Sequence, residues 1–518
     1  MIAFGLISAC SPLWGTRDML STQQILVKSP TIISESLQAS PTTTKFPSST
    51  PSKMPTISFT PSREPTNSLT TEIGTYPSDT PSISYYTQPG DNLSTIAKHF
   101  GVDASEITSD TQLPSIGLIA PQTLIFLPDG INGETSDSTQ LIPDSEIIFS
   151  PSAIDFNVRD FVKEGGGYLN YYEEYLASSG MTSGIDIIIR IAIENSINPR
   201  LLLAILEYQN GWVTGNLENE SDLHFTMGYI DYFNMGLYGQ LVLASEDISL
   251  GYYGWRSGSL TELVFLDGKS LRISPSLNAG TVGLYYYFSI HNSYADWLSI
   301  IDPSTGFMSF YESMMGDPWM RSKIIEPIFP YGITQPTLSL PFIPGDGWSL
   351  TGGPHSAFAR HGAWAALDFG PGTEHSTPCY QSDSWILAAA SGQVVRSGNG
   401  IVILDLDNDG YEQTGWNILY LHVATKDRVQ VGELLNHDDK IGHPSCEGGS
   451  STGVHFHMAR KFNGEWILAD GALPFNLSGW IAKNGSEPYK GFLIRDDVTV
   501  IASSTGIPSS QIVRLPGE

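Results

Sequence analysis

The chain has 518 residues, which is the length of roughly two to four domains. Its 26 Lys and Arg against 54 Asp and Glu give a formal charge of −28, which argues against the basic surface that nucleic-acid binding needs. Hydrophobic residues make up 41% of the chain, so it can bury cores and is not disordered throughout. No uninterrupted apolar run reaches the ~18–20 residues of a membrane-spanning helix.

The first ten residues are apolar, then small, and end at Cys10. This segment resembles a bacterial lipoprotein signal, in which Ile7-Ser8-Ala9 precedes a cysteine that is lipidated after cleavage. The resemblance implies that residues 1–20 are a signal and membrane anchor of an extracellular, surface-bound protein. The usual basic stretch is missing and the apolar run is short, so an ordinary secretory signal and an apolar start without function stay open as alternatives.

Residues 21–84 are dominated by Ser, Thr and Pro. Such a segment has too few apolar side chains to offset the entropy cost of ordering the chain. We therefore expect a disordered, extended linker that carries the following domains away from the membrane and into the cell wall.

Residues 85–128 form the first segment with the pattern of a folded module. Apolar residues recur at helical spacing between Asp91, which can cap a helix, and Gly101, which can end one: Leu93, Ile96, Ala97 and Phe100. With a closing strand near residue 125, the segment resembles a LysM domain, a small α+β fold. The resemblance implies binding to N-acetylglucosamine-containing glycans, chiefly peptidoglycan or chitin. The alternative is a small domain that has lost its affinity for sugar.

After a predicted linker at 129–149, residues 150–335 are expected to form a mostly α-helical domain. An apolar helix that starts at Pro199 resembles the first catalytic helix of lytic transglycosylases, which have a lysozyme-like fold. Aligned on Gly211, the general-acid position is Gln209, and an amide has no proton to give at neutral pH. We therefore expect a non-catalytic domain in which residues 251–256 form a glycan-contacting turn. An active glycosidase and an unrelated helical domain are the alternatives.

The histidines cluster towards the C-terminus, since eight of the 11 lie from His355 onward. His455 and His457 stand two apart in a segment that has the pattern of a strand, so both imidazoles should point to one face. Asp368 lies in a second apolar stretch, and His422 ends a third. Two imidazoles on one face of a strand can bind a single metal ion.

The order of these residues along the chain resembles that of the lysostaphin-type zinc endopeptidases, which include LytM-like and β-lytic enzymes. That order is a His, an Asp on a strand, a strand-end His and a His-x-His. The resemblance implies a mostly antiparallel β peptidase domain at 340–500, followed by a tail at 501–518. It implies a Zn²⁺ ion held by three ligands and a water activated by two further residues. The implied metal ligands are His355, Asp368 and His457, and the implied catalytic residues are His422 and His455.

The first zinc ligand is the least certain of the three. Many family members have His-x-x-x-Asp, but Trp364 occupies that position here. His355 lies thirteen residues before Asp368, and His361 lies seven before it. The β-lytic branch uses a long loop at this point, which favours His355, and His361 remains the alternative.

The cysteines suggest a disulfide. In an exported chain with a lipidated Cys10, Cys379 and Cys446 can pair with each other. Two free buried thiols are the alternative.

An acidic stretch resembles the first half of a calcium loop, with carboxylates at Asp405, Asp407 and Asp409. Its twelfth position is Trp416 rather than Glu, so the bidentate ligand of such a loop is absent. We therefore favour a hairpin turn at residues 408–410 and leave calcium open.

Together these features predict a peptidoglycan endopeptidase, either a cell-surface lipoprotein or a secreted wall protein. Its LysM module would hold glycan, and its zinc domain would cut the stem-peptide cross-links. The alternative function is a non-catalytic wall-binding scaffold or an activator of another hydrolase. The bond that is cut stays open, because Gly–Gly bridges and D-Ala–diamino acid links are both cleaved within the resembled family.

Overall fold

The computed structural model describes residues 82–215, 221–372 and 379–518. The predicted signal with Cys10 and residues 21–81 of the predicted linker lie outside this part of the chain. No helix within the described ranges has the length and apolar composition to cross a membrane.

A small α+β module begins the described chain. Its elements are strand β1 (Ser82–Tyr86), helix α1 (Leu93–Phe100) and strand β2 (Leu124–Pro128). The two strands pair antiparallel, and α1 buries Ile96 and Phe100 with Ile125 of β2. Gly101 ends α1 in the left-handed conformation, as its position predicts. Residues 82–84, which were expected in the linker, belong to β1.

The N-terminal cap of α1 differs from the prediction. Asn92 rather than Asp91 is the cap, and its side chain accepts a hydrogen bond from the backbone N–H of Thr95 at 3.2 Å. The Asp91 carboxylate instead accepts from the backbone N–H of Gln88 at 2.7 Å and from the Tyr85 hydroxyl at 2.9 Å. Asp91 therefore closes the turn before the helix.

The middle region is mostly helical, with two short hairpins. Its elements are α2 (Val158–Gly165), β3 (Glu173–Leu176), β4 (Gly180–Ser183), α3 (Gly184–Asn195), α4 (Pro199–Asn210), α5 (Ser221–His224), α6 (Gly236–Ser257), β5 (Glu262–Val264), β6 (Ser270–Arg272), α7 (Ala279–His291), α8 (Tyr294–Ile300), α9 (Phe307–Met315) and α10 (Pro318–Ser322). The long helix α6 packs against α3 and α7. Pro199 opens α4 behind the capping Asn198, as expected from their order.

Two expectations for this region are wrong. Part of the predicted linker is core, because Ile142, Ile147 and Ile148 are fully or almost fully buried among the helices. The predicted glycan-contacting turn at 251–256 lies inside α6, where Trp255 is buried. In both segments apolar side chains gain more by leaving water than they would as an exposed linker or turn.

The C-terminal region is built of strands. They are β7 (Gly347–Ser356), β8 (Trp364–Pro371), β9 (Ile386–Leu387), β10 (Gly392–Gly398), β11 (Ile401–Asp405), β12 (Trp416–Leu421), β13 (Leu434–Leu435), β14 (Lys440–Gly442), β15 (Phe456–Phe462), β16 (Glu465–Trp466), β17 (Asn476–Leu477), β18 (Trp480–Asn484), β19 (Gly491–Arg495), β20 (Val498–Ile501) and β21 (Gln511–Val513). The main sheet has the order β13-β10-β11-β12-β15-β8-β7-β21, with antiparallel pairing and β16 added to β15. This confirms the predicted mostly antiparallel β fold.

Both faces of the main sheet are buried. Alternating residues such as Leu367 and Tyr420 face one core within the C-terminal region. Their neighbours Ala366 and Leu419 face the helical core of the middle region. The middle region and the sheet therefore share one continuous apolar core.

The residues predicted to form a tail are part of the fold. Strand β21 pairs with β7 at one edge of the main sheet. Just after it, the buried Arg514 forms an ion pair with Asp438. The last residues therefore cover a sheet edge that would otherwise present unpaired backbone groups.

The predicted disulfide is present in the structure. Cys379 and Cys446 are bonded across 67 residues of sequence. The bond joins the segment after β8 to the loop before β15, and both segments lie near the residues predicted to be functional.

Arg256, on the last turn of α6, connects three parts of the chain. Its guanidinium is almost completely buried and lies 2.8 Å from the Asp144 carboxylate and 3.1 Å from that of Glu465 in β16. It also donates to the carbonyl of Pro89 in the N-terminal module. Tyr252, one turn earlier, donates its hydroxyl to Glu465 at 2.7 Å.

We expect Arg256→Met to destabilise the protein by about 3–5 kcal/mol, because two buried carboxylates would lose their countercharge. The measurement is the urea midpoint of the full chain. Arg159→Met is the matched control, since Arg159 pairs with Asp186 where the side chains are 52% and 44% exposed. That exposed pair should contribute at most about 1 kcal/mol. Equal shifts for the two variants would contradict the role of Arg256.

His99 joins α1 to α6. Its ring stacks on the Trp255 indole at 3.5 Å, and Nε2 donates to the Trp255 carbonyl at 3.0 Å. Burial of the imidazole, together with nearby cationic side chains, lowers the pKa of His99 to about 3. The folded protein therefore holds His99 neutral at pH values where an exposed histidine would take up a proton.

We expect the His99 contact to lose stability as the pH falls. Below about pH 6.5 the imidazole takes up a proton in the unfolded chain but not in the folded chain. The free energy of unfolding therefore falls by up to about 1.4 kcal/mol per pH unit until the folded pKa is reached. The measurement compares urea midpoints of the wild type and His99→Gln at pH 7.5 and pH 5.5. The wild type should lose more stability than the variant, and parallel losses would rule out the effect.

Candidate metal centre

Three neighbouring strands bring together the residues predicted to bind metal. His355 lies on β7, Asp368 on β8 and His457 on β15. In the β15–β8 pair, His457 stands directly opposite Asp368. Directly opposed residues share a face of the sheet, so the two side chains emerge side by side.

The three side chains converge on one point. His355 Nε2 lies 3.0 Å from His457 Nδ1, His457 Nδ1 lies 3.1 Å from Asp368 Oδ1, and His355 Nε2 lies 3.3 Å from Asp368 Oδ1. All three residues are buried. The three atoms thus form a small, nearly equilateral triangle.

Backbone carbonyls determine where each imidazole carries its hydrogen. His355 Nδ1 lies 2.8 Å from the Gly353 carbonyl, and His457 Nε2 lies 2.8 Å from the Ala357 carbonyl. A carbonyl oxygen only accepts, so both of these nitrogens must donate. The other nitrogens, His355 Nε2 and His457 Nδ1, then present lone pairs to each other.

The charges at this point also favour a cation. Although burial acts to raise the pKa of Asp368, its interactions with His355 and His457 outweigh that effect and hold the pKa well below its usual range. Burial is the main cause that lowers the pKa of His457. The triangle therefore holds one carboxylate charge and electron pairs that repel one another unless a cation lies between them.

The geometry and donor set fit zinc. Zinc bonds nitrogen and carboxylate oxygen at about 2.0–2.2 Å in tetrahedral sites, so two of its ligand atoms lie about 3.3 Å apart. The three observed separations are close to that value. The second ring nitrogen of each histidine donates to a backbone carbonyl, which is the usual outer-shell support of a metal-bound imidazole.

His422 and His455 stand beside this triangle. Their ring centroids are 4.5 Å apart, and His455 Nε2 lies 3.9 Å from Asp368 Oδ1. His455 Nδ1 donates to the Gly453 carbonyl at 2.8 Å, and His422 Nδ1 donates to the Glu447 carbonyl at 2.7 Å. Each ring is thereby oriented with Nε2 left as the acceptor nitrogen.

His422 occupies an unusual backbone conformation. It follows β12 directly and has a φ of 64°, in the left-handed region that residues with a Cβ rarely adopt. Burial, followed by the neighbouring His455 and His457, lowers the pKa of His422 to about 3. The ring is therefore neutral at neutral pH, and its Nε2 carries a lone pair.

Four further polar residues lie outside the triangle. His361 is exposed in the loop between β7 and β8 and is not part of the triangle. Tyr420 is fully buried in the core, where its hydroxyl accepts from the Ala389 N–H. In the middle region, Gln209 donates to the Tyr287 hydroxyl at 2.8 Å, and the Glu207 carboxylate accepts backbone hydrogen bonds from the turn after α4.

A large cleft opens at the metal centre. Its volume is about 1450 Å³. One wall is formed by the C-terminal region with the histidines, and the other by α3 and α6 with the β3 strand of the middle region. The cleft exceeds the ~300–1,000 Å³ of most small-molecule pockets.

Family models match two segments of the chain. The LysM domain matches residues 85–126, and the LasA N-terminal domain matches residues 140–328.

Curated relatives extend the similarity to the C-terminal region. Protease LasA of Pseudomonas aeruginosa is 23% identical over 294 residues, which cover 54% of this chain and 66% of the protease. The β-lytic metalloendopeptidase of Lysobacter enzymogenes is 24% identical over 151 residues, which cover 29% of this chain and 81% of that enzyme. The chain thus spans just under two thirds of the length of LasA. Among solved structures, the M23 metalloprotease pseudoalterin is 21% identical with a TM-score of 0.27, covering 33% of this chain and 96% of its own.

The chain therefore contains segments that match a LysM domain and a LasA N-terminal domain, and it is similar in sequence to LasA and to β-lytic metalloendopeptidases. The predicted resemblances to a LysM domain and to β-lytic enzymes are thereby confirmed. The resemblance of the middle region to a lysozyme-like fold stays a prediction.

Sequence reasoning missed Tyr489. It lies between β18 and β19, and its ring stacks on that of His355 with centroids 4.0 Å apart. The Gly353 N–H donates to the Tyr489 carbonyl at 3.0 Å, and the Tyr489 N–H donates to the Pro354 carbonyl at 3.2 Å. No motif marks this residue, because its place depends on how a distant hairpin packs on β7.

Glu246 of α6 was also missed. Its carboxylate accepts the backbone N–H of Arg360 at 2.8 Å, within the loop between β7 and β8. That loop begins at Ala357, whose carbonyl holds His457. The helical region therefore supports the orientation of a residue in the metal centre.

We expect His355→Ala and His457→Ala to lose tightly bound zinc, because each removes one of three converging ligand atoms. Mass-spectrometric metal analysis of the purified, dialysed full chain measures this. His361→Ala is the matched control and should keep one zinc per chain. Circular dichroism should show that all three variants remain folded. Zinc kept by His355→Ala and lost by His361→Ala would reverse the choice of first ligand.

Proposed function

We propose that this protein is a peptidoglycan endopeptidase that uses a zinc ion held by His355, Asp368 and His457. The observation that carries the proposal is the buried triangle of lone pairs, which lies at the base of a wide cleft beside two further imidazoles. When bound, zinc polarises the scissile carbonyl and lowers the pKa of a water molecule towards about 7.

The two imidazoles move the protons of the reaction. His455 and His422 both have Nδ1 engaged with carbonyls, so each Nε2 can accept a proton from the attacking water. His455 is the closer of the two to the triangle. The proton then passes to the leaving nitrogen of the peptide, which restores the neutral ring.

Tyr489 is placed to stabilise negative charge. Burial of its phenol, followed by the nearby Asp368 carboxylate, raises the pKa of Tyr489. The hydroxyl therefore keeps its hydrogen and can donate to the oxygen that becomes negative as the peptide carbonyl is attacked.

The LysM domain indicates the substrate. We infer that it holds N-acetylglucosamine-containing glycan and so keeps the stem peptides at a high local concentration near the cleft. The width of the cleft suits a polymer, and the names of the relatives, a protease and β-lytic endopeptidases, support peptide cleavage in a cell wall. The disulfide supports an exported protein, which would be secreted into the wall or anchored by a lipid at Cys10.

The test is digestion of purified peptidoglycan by the full chain, with and without a zinc chelator, followed by mass identification of the products. We expect new amino termini within the peptides that appear only with zinc. His455→Ala and His422→Ala should each lower the rate by about 10²–10⁴-fold, as expected for the loss of a general acid–base group.

His224→Ala is the matched control and should retain full activity, because this histidine is exposed on α5 and does not line the cleft. Zinc-loaded, folded protein that releases no peptide fragments would contradict the proposal and favour a wall-binding scaffold. Release of anhydro sugars instead would assign the activity to the middle region.

A further inference from the structure

Three carboxylates meet at the opposite end of the same sheet from the metal centre. Asp405 ends β11, and Asp407 and Asp409 follow in the loop to β12. Each offers an oxygen within 4.8 Å of the others. Register places this group level with Lys461 of β15, four residues or about 13 Å along the strand from His457.

Asp405 is a buried carboxylate without a basic partner. It is fully buried, and in the described part of the chain no Lys, Arg or His forms an ion pair with it. It accepts the backbone N–H groups of Asp407 at 3.2 Å and Gly410 at 3.0 Å. Carboxylates held this close repel one another unless a cation lies between them.

Asn417 supplies an independent indication of a ligand. It stands directly opposite Asp405 in the β11–β12 pair, so the two side chains lie side by side on one face. Asn417 is 1% exposed, and its Oδ1 has no hydrogen-bond partner. Its Nδ2 donates to the Thr414 carbonyl at 2.7 Å, and Thr414 Oγ1 in turn donates to the Asp409 carboxylate at 2.5 Å.

The other neighbour of Asn417 does not account for the unpaired oxygen. Lys461 lies opposite Asn417 on β15, but its Nζ pairs with Glu412 at 3.1 Å. Glu412 is held in addition by Arg396. A buried amide oxygen without a donor is destabilising, so an unpaired oxygen opposite the Asp405 carboxylate points to a missing cation.

We propose that Asp405, Asp407, Asp409 and Asn417 bind a Ca²⁺ ion. All four donors are oxygens, which suit a hard cation such as Ca²⁺ and disfavour zinc, whose usual protein ligands include nitrogen or sulfur. Calcium–oxygen distances are about 2.3–2.6 Å, so two ligands of one ion lie at most about 5 Å apart. The three carboxylates meet that limit.

Asn417 also supplies a ligand in place of the one that the loop lacks at its twelfth position. Counted along the chain, the twelfth position of the loop is Trp416, which has no ligand atom. The β11–β12 register instead brings the thirteenth residue beside the first. The hairpin turn and the cation site are thus compatible, because strand pairing replaces the distant glutamate of a helical calcium loop.

The first test uses terbium as a luminescent substitute for calcium on the full, zinc-loaded chain. Trp416, next to Asn417, can transfer excitation energy to a bound Tb³⁺ ion. We expect saturable terbium luminescence that Ca²⁺ displaces, and calorimetry should show one Ca²⁺ bound per chain. Absence of calcium binding by calorimetry would overturn the proposal.

Variants test whether these residues bind the Ca²⁺ ion. Asp407→Asn and Asn417→Leu should each weaken Ca²⁺ binding about tenfold or more, whereas Asn417→Asp should strengthen it by adding a charge. The control Asp497→Asn removes an exposed carboxylate from the β19–β20 turn and should leave binding unchanged. His457→Ala should also leave it unchanged, since the zinc centre is remote. Equal Ca²⁺ affinity in the wild type, Asp407→Asn and both Asn417 variants would refute the site.

Discussion

One buried guanidinium holds together the three regions of this protein. Arg256 lies between the carboxylates of Asp144 and Glu465 and also reaches the carbonyl of Pro89. A cation is stable inside a protein only when such partners replace the water it has lost. Because the partners come from three separate parts of the chain, Arg256 helps to fix the position of α6 relative to both the LysM domain and the main sheet.

The position of α6 also affects the metal centre. Helix α6 carries Glu246 nearly three turns before Arg256, and Glu246 holds the loop that begins at Ala357. The Ala357 carbonyl sets the tautomer of His457 by accepting from its Nε2. The LasA-like helical region is therefore more than a spacer, because it buries one face of the sheet, forms a wall of the cleft and supports a residue of the centre.

The main sheet carries two groups of candidate metal ligands on one face, one group at each end. At one end, His355 and His457 offer nitrogen lone pairs with a single carboxylate, a set that suits zinc. At the other end, Asp405, Asp407 and Asp409 offer oxygen alone, a set that suits calcium. The apolar side chains between them pack on the helical region and separate the two groups.

The sequence by itself determined the features that depend on local pattern: the helix of the LysM module and the strands around Asp368 and His457. Spacing along the chain is sufficient there, because alternation decides which face a side chain takes. It also indicated the disulfide, since few cysteines were available to pair.

Only the tertiary structure decided which distant segments meet. It brought His355 rather than His361 into the triangle, stacked Tyr489 on His355, placed Asn417 beside Asp405 and made the predicted tail and part of a predicted linker into core or sheet. These outcomes depend on strand register and on the burial of apolar faces between regions. Such contacts arise from packing among residues far apart in the chain, and no local spacing encodes them.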